Sequence, residues 1–502
     1  MATFLIGLAI LIGGGMLYGR FCEKLFEPDD RKTPAYTMED GVDYVPMKTW
    51  KNSLINLLNI AGTGPIIGPI QGILFGPIAF ILIPIGNIIG GSMHDYFCGM
   101  ISIRNGGAQM PTLIKKYTNK VVFNIYNVFV ALLLLLVGAV FIYTPGDIAA
   151  TQVFGFSGSA TDISTWVIYG VIFAYYLIAT LFPIDKIIGK IYPIFGAILL
   201  ISAVGVFIGL FTKGFPLQNL TLDNWKGIYP ISGTNIVPIF FVTVACGIVS
   251  GFHSTQNTII ARSVTHEKQG RTTFYNMMML EGFIAMIWAA AAMGAINMGL
   301  GGASALSIIG KAKGPGATSL VGIICKTALG KVGGIIAILG VIVLPITSGD
   351  TALRGLRLLV AEYLHIDQKP AGKRLGLSAI IFALVALILV YSKTNSSGFS
   401  ILWRYFAWSN QTMSIFAFAM ISMYLGERNK PWIIGFVPGL FYTYITSCFI
   451  INASFGFNVP LNYAYMIAAV LTAVYGAVVL WAIKKRRAAF VLEVGGKKTI
   501  KA

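Results

Sequence analysis

Charge is what this sequence has least of. Only 19 of its 502 residues are acidic and four are histidine, and Asp, Glu, Lys and Arg together make up 11%. A water-soluble domain carries roughly a quarter of its residues charged, so an ordinary solvated surface is excluded. Cysteine is also scarce: five residues, with no Cys-x-x-Cys pair and no Cys/His cluster at metal-ligand spacing. That excludes a disulfide scaffold and gives no reason to expect a structural metal or any other cofactor. No phosphate-cradling Gly-x-x-x-x-Gly-Lys-Ser/Thr loop is present, which argues against a self-contained ATP-driven pump. The histidines at 94, 253, 266 and 365 never fall at metalloprotease spacing. An intramembrane enzyme using His94, Asp95 or His253 as acid or base would therefore lack its usual motif.

What the chain has instead is apolar residues, 56% of the total, in runs long enough to span a bilayer from one end to the other. The fold class expected is an all-α polytopic membrane protein of about thirteen transmembrane helices. The spans fall at roughly 3–19, 53–75, 77–103, 121–143, 163–183, 188–211, 235–262, 273–299, 333–361, 374–392, 400–425, 431–452 and 463–484. Residues 300–332 are too polar and glycine-rich to count, and are expected to form a loop with a short capping helix. The first run has no basic n-region and no small-x-small cleavage site, so it is expected to remain as a helix.

The net charge of +18 is a matter of topology, not of nucleic-acid binding. Numbering the loops alternately puts about 29 of the 37 basic residues on one side, as the positive-inside rule expects of cytoplasmic loops. They include Arg20, Arg104, Lys186, Lys190, Arg262, Lys369 and the tail from Lys484 to Lys501. The N-terminus is thereby expected outside and the C-terminus inside.

Two of the spans are interrupted by glycine and polar residues: Ala61-Gly62-Thr63-Gly64-Pro65 in one, Ser250-Gly251-Phe252-His253-Ser254-Thr255-Gln256 in the other. Irregular backbone at membrane depth is tolerated only where it lines a cavity or site. With the first helix and the last two set aside, the interrupted spans are the first and sixth of ten, and they start from opposite sides. That is the pattern of a five-plus-five inverted-repeat transporter whose site lies between the repeats. The units expected are 1–52, a first repeat at 53–211, a second at 235–425 and a terminal pair of helices with a basic tail at 431–502.

The candidate substrate-binding residues are Ala61, Gly62, Thr63, Gly64 and Pro65, where half-helix ends expose backbone groups. Ser250, Gly251, His253, Ser254 and Gln256 join them from the second break, and Asn410 and Gln411 from the span at 400–425. Ionisable groups inside a bilayer are functional candidates by default, which selects His94, Asp95 and Glu281 as proton carriers. At about 1.5 Å per residue, Gly62, His94, His253 and Glu281 lie at one depth, roughly 12–15 Å from the cytoplasmic helix ends. The static alternative is a hydrogen-bond network that ties helices together. Arg404 at the outer mouth is a candidate to attract an anionic substrate, with Asp147 as its partner or gate.

Several motifs, in order, resemble the carbon starvation protein A family. They are Tyr18-Gly19-Arg20-Phe21, Arg31-Lys32-Thr33-Pro34-Ala35-Tyr36, Asp40-Gly41-Val42-Asp43-Tyr44-Val45-Pro46 and Leu57 to Pro65. His94-Asp95-Tyr96-Phe97, Ser250 to Gln256, Leu280-Glu281-Gly282 and Trp403 to Gln411 complete the set. The resemblance implies a secondary transporter with a leucine-transporter-like fold. It implies uptake of short peptides, or of pyruvate and related small carboxylates, under nutrient limitation, with protons as the coupling ion. In such a fold Thr347, Ser348, Asp350 and Thr351 could instead coordinate sodium with carbonyls of the first broken helix, unless Asp350 pairs with Arg354 one turn on. The partners implied are the lipid of the plasma membrane and a small substrate, with no nucleic acid. A sodium-coupled carrier of a small carboxylate or amino acid, an intramembrane enzyme and a channel are the alternatives.

Overall fold

The computed structural model describes residues 1–499 apart from 42, 182–184, 226–234, 310–311, 368–369 and 396, and without the side chains of 180–193, 371 and 490–499. Val42, Lys369 and Lys501, and the side chains of Lys186, Lys190, Lys497 and Lys498, therefore lie outside the described residues. Every element among the described residues is helical, the one β-bridge being an isolated contact between Met47 and Val264. Among the described residues, nine helices are long and apolar enough to cross a membrane by length and composition. Helix covers most of each of the thirteen stretches expected from the sequence.

Two of the nine long segments are folded back by glycines. Gly76 (φ 76°, ψ −161°) divides Gly64–Arg104, and Gly330 (φ 72°, ψ −176°) divides Ala317–Tyr363. Both conformations are closed to a side chain with a Cβ, so the chain turns there between successive helices. The portion of Ala317–Tyr363 before Gly330, with the short helix Ala305–Ile308, accounts for the 300–332 stretch.

The solvent logic is inverted. Large apolar side chains face outward, among them Val171, Ile201, Ile380, Leu387 and Val470. Amides and carboxylates are buried: Asn52, Asn56, Asn87, Asp95, Glu281 and Asn410 are each at most 1% exposed. An apolar exterior is favourable only where lipid replaces water. Buried polar groups then hold the helices to one another.

At one end of the bundle a segment after the first helix is strapped down by charge. Glu267, fully buried, accepts from Arg104 Nε and Nη2 at 3.0 and 2.9 Å and from the Asp29 amide at 3.0 Å. Arg31 bonds Asp29 through Nε at 2.7 Å and holds its carboxyl well below the usual range. The Met47 amide donates to Ser263 O, so the strap ends on the short turn Ala261–Ser263 that follows the helix carrying His253.

Candidate functional site

The first interrupted span is Thr49–Ile60 followed by Gly64–Gly72. The helix stops because Ala61 leaves helical geometry (φ −81°, ψ 49°) and Gly62 N–H turns back to Ile60 O at 2.9 Å. Leu58 O thereby loses its helical donor and accepts from Ser348 Oγ at 3.0 Å. The unwound part is shorter than the five residues expected, because Gly64 and Pro65 already begin the second half-helix. Proline is at home in a first turn, where its missing N–H would be unpaired anyway.

The second interruption lies at Val249 and Ser250, both extended, between Ala245–Ile248 and Gly251–Ile260. Asn410 caps this break. Its Oδ1 accepts from Ser250 Oγ at 3.0 Å and from Phe252 N–H at 2.8 Å, and its Nδ2 donates to Cys246 Sγ. Asn87, absent from the sequence-derived candidates, does the same for the other half. Its Nδ2 donates to Gly247 O at 3.2 Å and Met278 O at 3.0 Å, while Oδ1 accepts from Ser92 Oγ. Asn87–Ser92 is a π-helical stretch, so the distortion that aims this amide immediately precedes His94. A buried amide ahead of Gly90-Gly91 was the available signal.

The two breaks touch. A Cβ on Gly64 would stand 2.1 Å from Cys246 Cβ, and one on Gly251 would stand 2.4 Å from Asn410 O, so glycine is required by close approach at both. Gln411 Nε2 donates to Phe241 O, tying the same helix to the segment before the break. Ser254 Oγ turns back to Gly251 O, and Gln256 Nε2 reaches Thr255 Oγ1. Thr63 Oγ1, Gln256 Oε1 and Gln411 Oε1 are buried with no hydrogen-bond partner in the structure.

His94, His253 and Glu281, expected at one depth, form a chain of contacts together with Asp95. His94 Nδ1 lies 2.8 Å from Asp95 Oδ1, His253 Nδ1 lies 3.0 Å from Asp95 Oδ2, and His253 Nε2 lies 3.5 Å from Glu281 Oε2. All four side chains are fully buried. An ionised Asp95 can only accept, so both imidazoles must present Nδ1–H to it. His253 Nε2 then faces the Glu281 carboxyl, where two lone pairs would oppose each other unless one proton sits between them. His94 Nε2 has no partner and stands beside the Phe418 ring, so a second proton there would be an N–H without an acceptor.

The Thr347–Thr351 group is a separate cluster. Thr347 Oγ1 donates to Leu344 O, and Ser348 Oγ to Leu58 O as above. Asp350 accepts from Tyr175 OH and from Thr351 Oγ1, both at 2.9 Å, while Arg354 donates to Ala179 O at 2.8 Å. Of these partners Tyr175 was not foreseen. Asp147 does not serve Arg404: its carboxylate holds Lys393 Nζ at 2.7 Å and Thr318 Oγ1 at 2.6 Å, with Lys393 over the rings of Tyr143 and Tyr169. From sequence, Lys393 read only as a lysine at the end of an apolar run.

Residues 1–175 and 146–300 match the family described as carbon starvation protein CstA. A membrane protein of Haemophilus influenzae is 42% identical over 333 residues, covering 57% of this chain and 89% of that protein. The peptide transporter CstA of Campylobacter jejuni is 26% identical over 57% of this chain, and the pyruvate/proton symporter BtsT of Escherichia coli 25% identical over 51%. The chain spans about half the length of these two transporters, 49% and 43% respectively. In fold, the chain is similar to the manganese transporter of Eremococcus coleocola, with a TM-score of 0.58 over 88% of this chain and 94% of the other, at 10% identity. The matched stretch contains both breaks and all four residues of the buried ionisable chain, and the protein belongs to the carbon starvation protein CstA family.

Proposed function

We propose that this protein is a proton-coupled secondary carrier, not an enzyme, that moves a short peptide across the plasma membrane by alternating access, with pyruvate or a related small carboxylate as the second substrate class. In this reading thirteen helices cross the bilayer, with the N-terminus outside and the C-terminus inside. Residues 53–211 and 235–425 are inverted repeats, and the substrate sits between the facing breaks at Ala61–Thr63 and Val249–Ser250. The observation that carries it is the buried string His94–Asp95–His253–Glu281, which needs one proton for its contacts to be compatible. A proton held there, on helices packed against both breaks, can be taken up on one side and released on the other as the helices rock. The named peptide and pyruvate/proton transporters of the same family support the substrate classes.

Sodium coupling is the second reading, and the contact of Ser348 with the freed Leu58 carbonyl favours it, since those oxygens are what a hard cation would take. Uptake into liposomes under an imposed proton gradient, with di- and tripeptides beside pyruvate, separates the two. Accumulation that follows the proton gradient and ignores sodium is expected. Accumulation that follows only sodium, or no accumulation of any substrate, refutes the proton reading.

A further inference from the structure

The two halves of the second broken helix are held by different chemistry. The half after the break, Gly251–Ile260, carries His253, whose contacts with Asp95 and Glu281 depend on where a proton sits. The half before it, Ala245–Ile248, is held by Asn87, an amide that does not titrate near neutral pH. Both anchors come from the same two stretches of helix. Asn87–Ser92 runs directly into Met93–Arg104, which carries Asp95, and Met278 lies one turn before Glu281 on Asn276–Asn297. Val249 and Ser250, both extended, are the joint between the two halves.

Asn87 is fully buried and has little slack. Its Nδ2 donates to Met278 O at 3.0 Å and to Gly247 O at 3.2 Å, the latter a carbonyl of the last turn before the chain leaves the helix. Two carbonyl oxygens demand the nitrogen on that side, and Ser92 Oγ, donating to Oδ1 at 3.0 Å, fixes the amide in this orientation. Close backbone approach fills the remaining space. A Cβ on Gly91 would stand 2.3 Å from Ile248 O, and one on Gly282, next to Glu281, would stand 2.5 Å from Asn87 Nδ2. A relative shift of about 1 Å would carry either N–H···O contact beyond hydrogen-bond range.

We propose that Asn87 is the positioning residue that couples proton to substrate: it pins the first half of the second broken helix to the two helices of the proton string. The inference rests on the proton-carrier reading above. A change of protonation alters the hold on His253 alone, while Ala245–Ile248 stays fixed by Asn87. The movement is thereby concentrated as bending at Val249–Ser250, beside the first break, where the substrate is proposed to sit. Without the amide the whole segment can slide, and substrate can cross without the proton.

The test is carried out in proteoliposomes of the purified full-length protein with the membrane potential clamped, using alanyl-alanine and pyruvate as probes. The wild type is expected to reach a plateau of about tenfold accumulation per pH unit. Asn87→Ala is expected to lower that plateau to about one, the value of an uncoupled carrier, while counterflow on the same vesicles persists. A merely structural role predicts otherwise, since fewer working carriers slow both assays but leave the plateau unchanged. Ser92→Ala removes only the bond that orients the amide, so it is expected to give a plateau between those two values, and it keeps the test open where Asn87→Ala does not fold. A plateau equal to wild type in both variants overturns the assignment alone, as does loss of counterflow together with accumulation in both. A wild type that accumulates neither probe under the proton gradient overturns the proton reading and this assignment with it.

Discussion

Replacing Glu281 by glutamine isolates the proton. In the structure Glu281 meets His253 Nε2 at 3.5 Å, and the His253 ring is fixed at its other nitrogen by Asp95. One proton fits between the imidazole and the carboxyl, and a second on His94 Nε2 would be a buried N–H without an acceptor. The stoichiometry expected is therefore one proton per cycle. With the membrane potential clamped, one proton moving down a gradient of one pH unit supplies about 1.4 kcal/mol, which caps accumulation at about tenfold. Glu281→Gln keeps the shape of the side chain, but its amide neither takes up nor releases a proton near neutral pH. It is expected to leave substrate exchange between equal pools intact, within about threefold of wild type on an order-of-magnitude view of conservative substitutions. Gradient-driven accumulation should vanish. The assay is uptake into proteoliposomes with valinomycin and potassium setting the potential, followed by counterflow on the same preparation. Accumulation near a hundredfold per pH unit in the wild type would demand two protons, and driven accumulation in Glu281→Gln would take the proton off this residue. Either result refutes the reasoning.

Gly64→Ala places a Cβ 2.1 Å from Cys246 Cβ and should abolish transport; because the obstacle is Cys246's own Cβ, Cys246→Gly should restore uptake and Cys246→Ala should not. Asn410→Ala removes the cap from the second break and leaves Phe252 N–H and Ser250 Oγ unpaired, so the melting transition should fall by the equivalent of about 2 kcal/mol in a thermal-shift assay. Lys393→Met strands the Asp147 carboxylate, at a cost of about 3 kcal/mol in the same assay, and the double variant with Asp147→Asn should recover much of the loss. Asp29's carboxyl is held low by Arg31, so its stabilising share is complete above about pH 4 and lost as pH falls through the depressed value. Asp29→Asn should therefore lower the melting temperature slightly at pH 6 and make no difference at the acid end, and an equal offset at every pH would refute the assignment.

Much of the fold was legible because the bilayer imposes a length on every apolar run. The interruptions were legible for a related reason, since glycine and proline clustered at membrane depth have few other uses. The extent of the unwinding was not, because whether Pro65 ends one helix or begins the next depends on where Ala61 and Gly62 turn. The turn at Gly76 falls between the spans expected at 53–75 and 77–103, and that at Gly330 just ahead of the span at 333–361; what the sequence hid was the helix from Ala317 that precedes Gly330.

The site divides along a physical line. Depth in a helix is a count of residues times a fixed rise, so His94, His253 and Glu281 could be placed in one layer from sequence. Which neighbour each side chain faces depends on rotation about the helix axis and on which helices pack together, and neither quantity is local. His253 was grouped with substrate-binding hydroxyls, yet the structure sets it between Asp95 and Glu281 as the middle of the chain. The same limit explains Asn410 and Asn87. A buried amide must be satisfied, and the sequence cannot distinguish one satisfied by a substrate from one satisfied by backbone. Here both amides bond the groups freed at the second break, Asn410 on Ser250 and Phe252 and Asn87 on Gly247. The two asparagines are thus accounted for by backbone and hydroxyl groups, whereas Thr63 Oγ1, Gln256 Oε1 and Gln411 Oε1 are buried without partners.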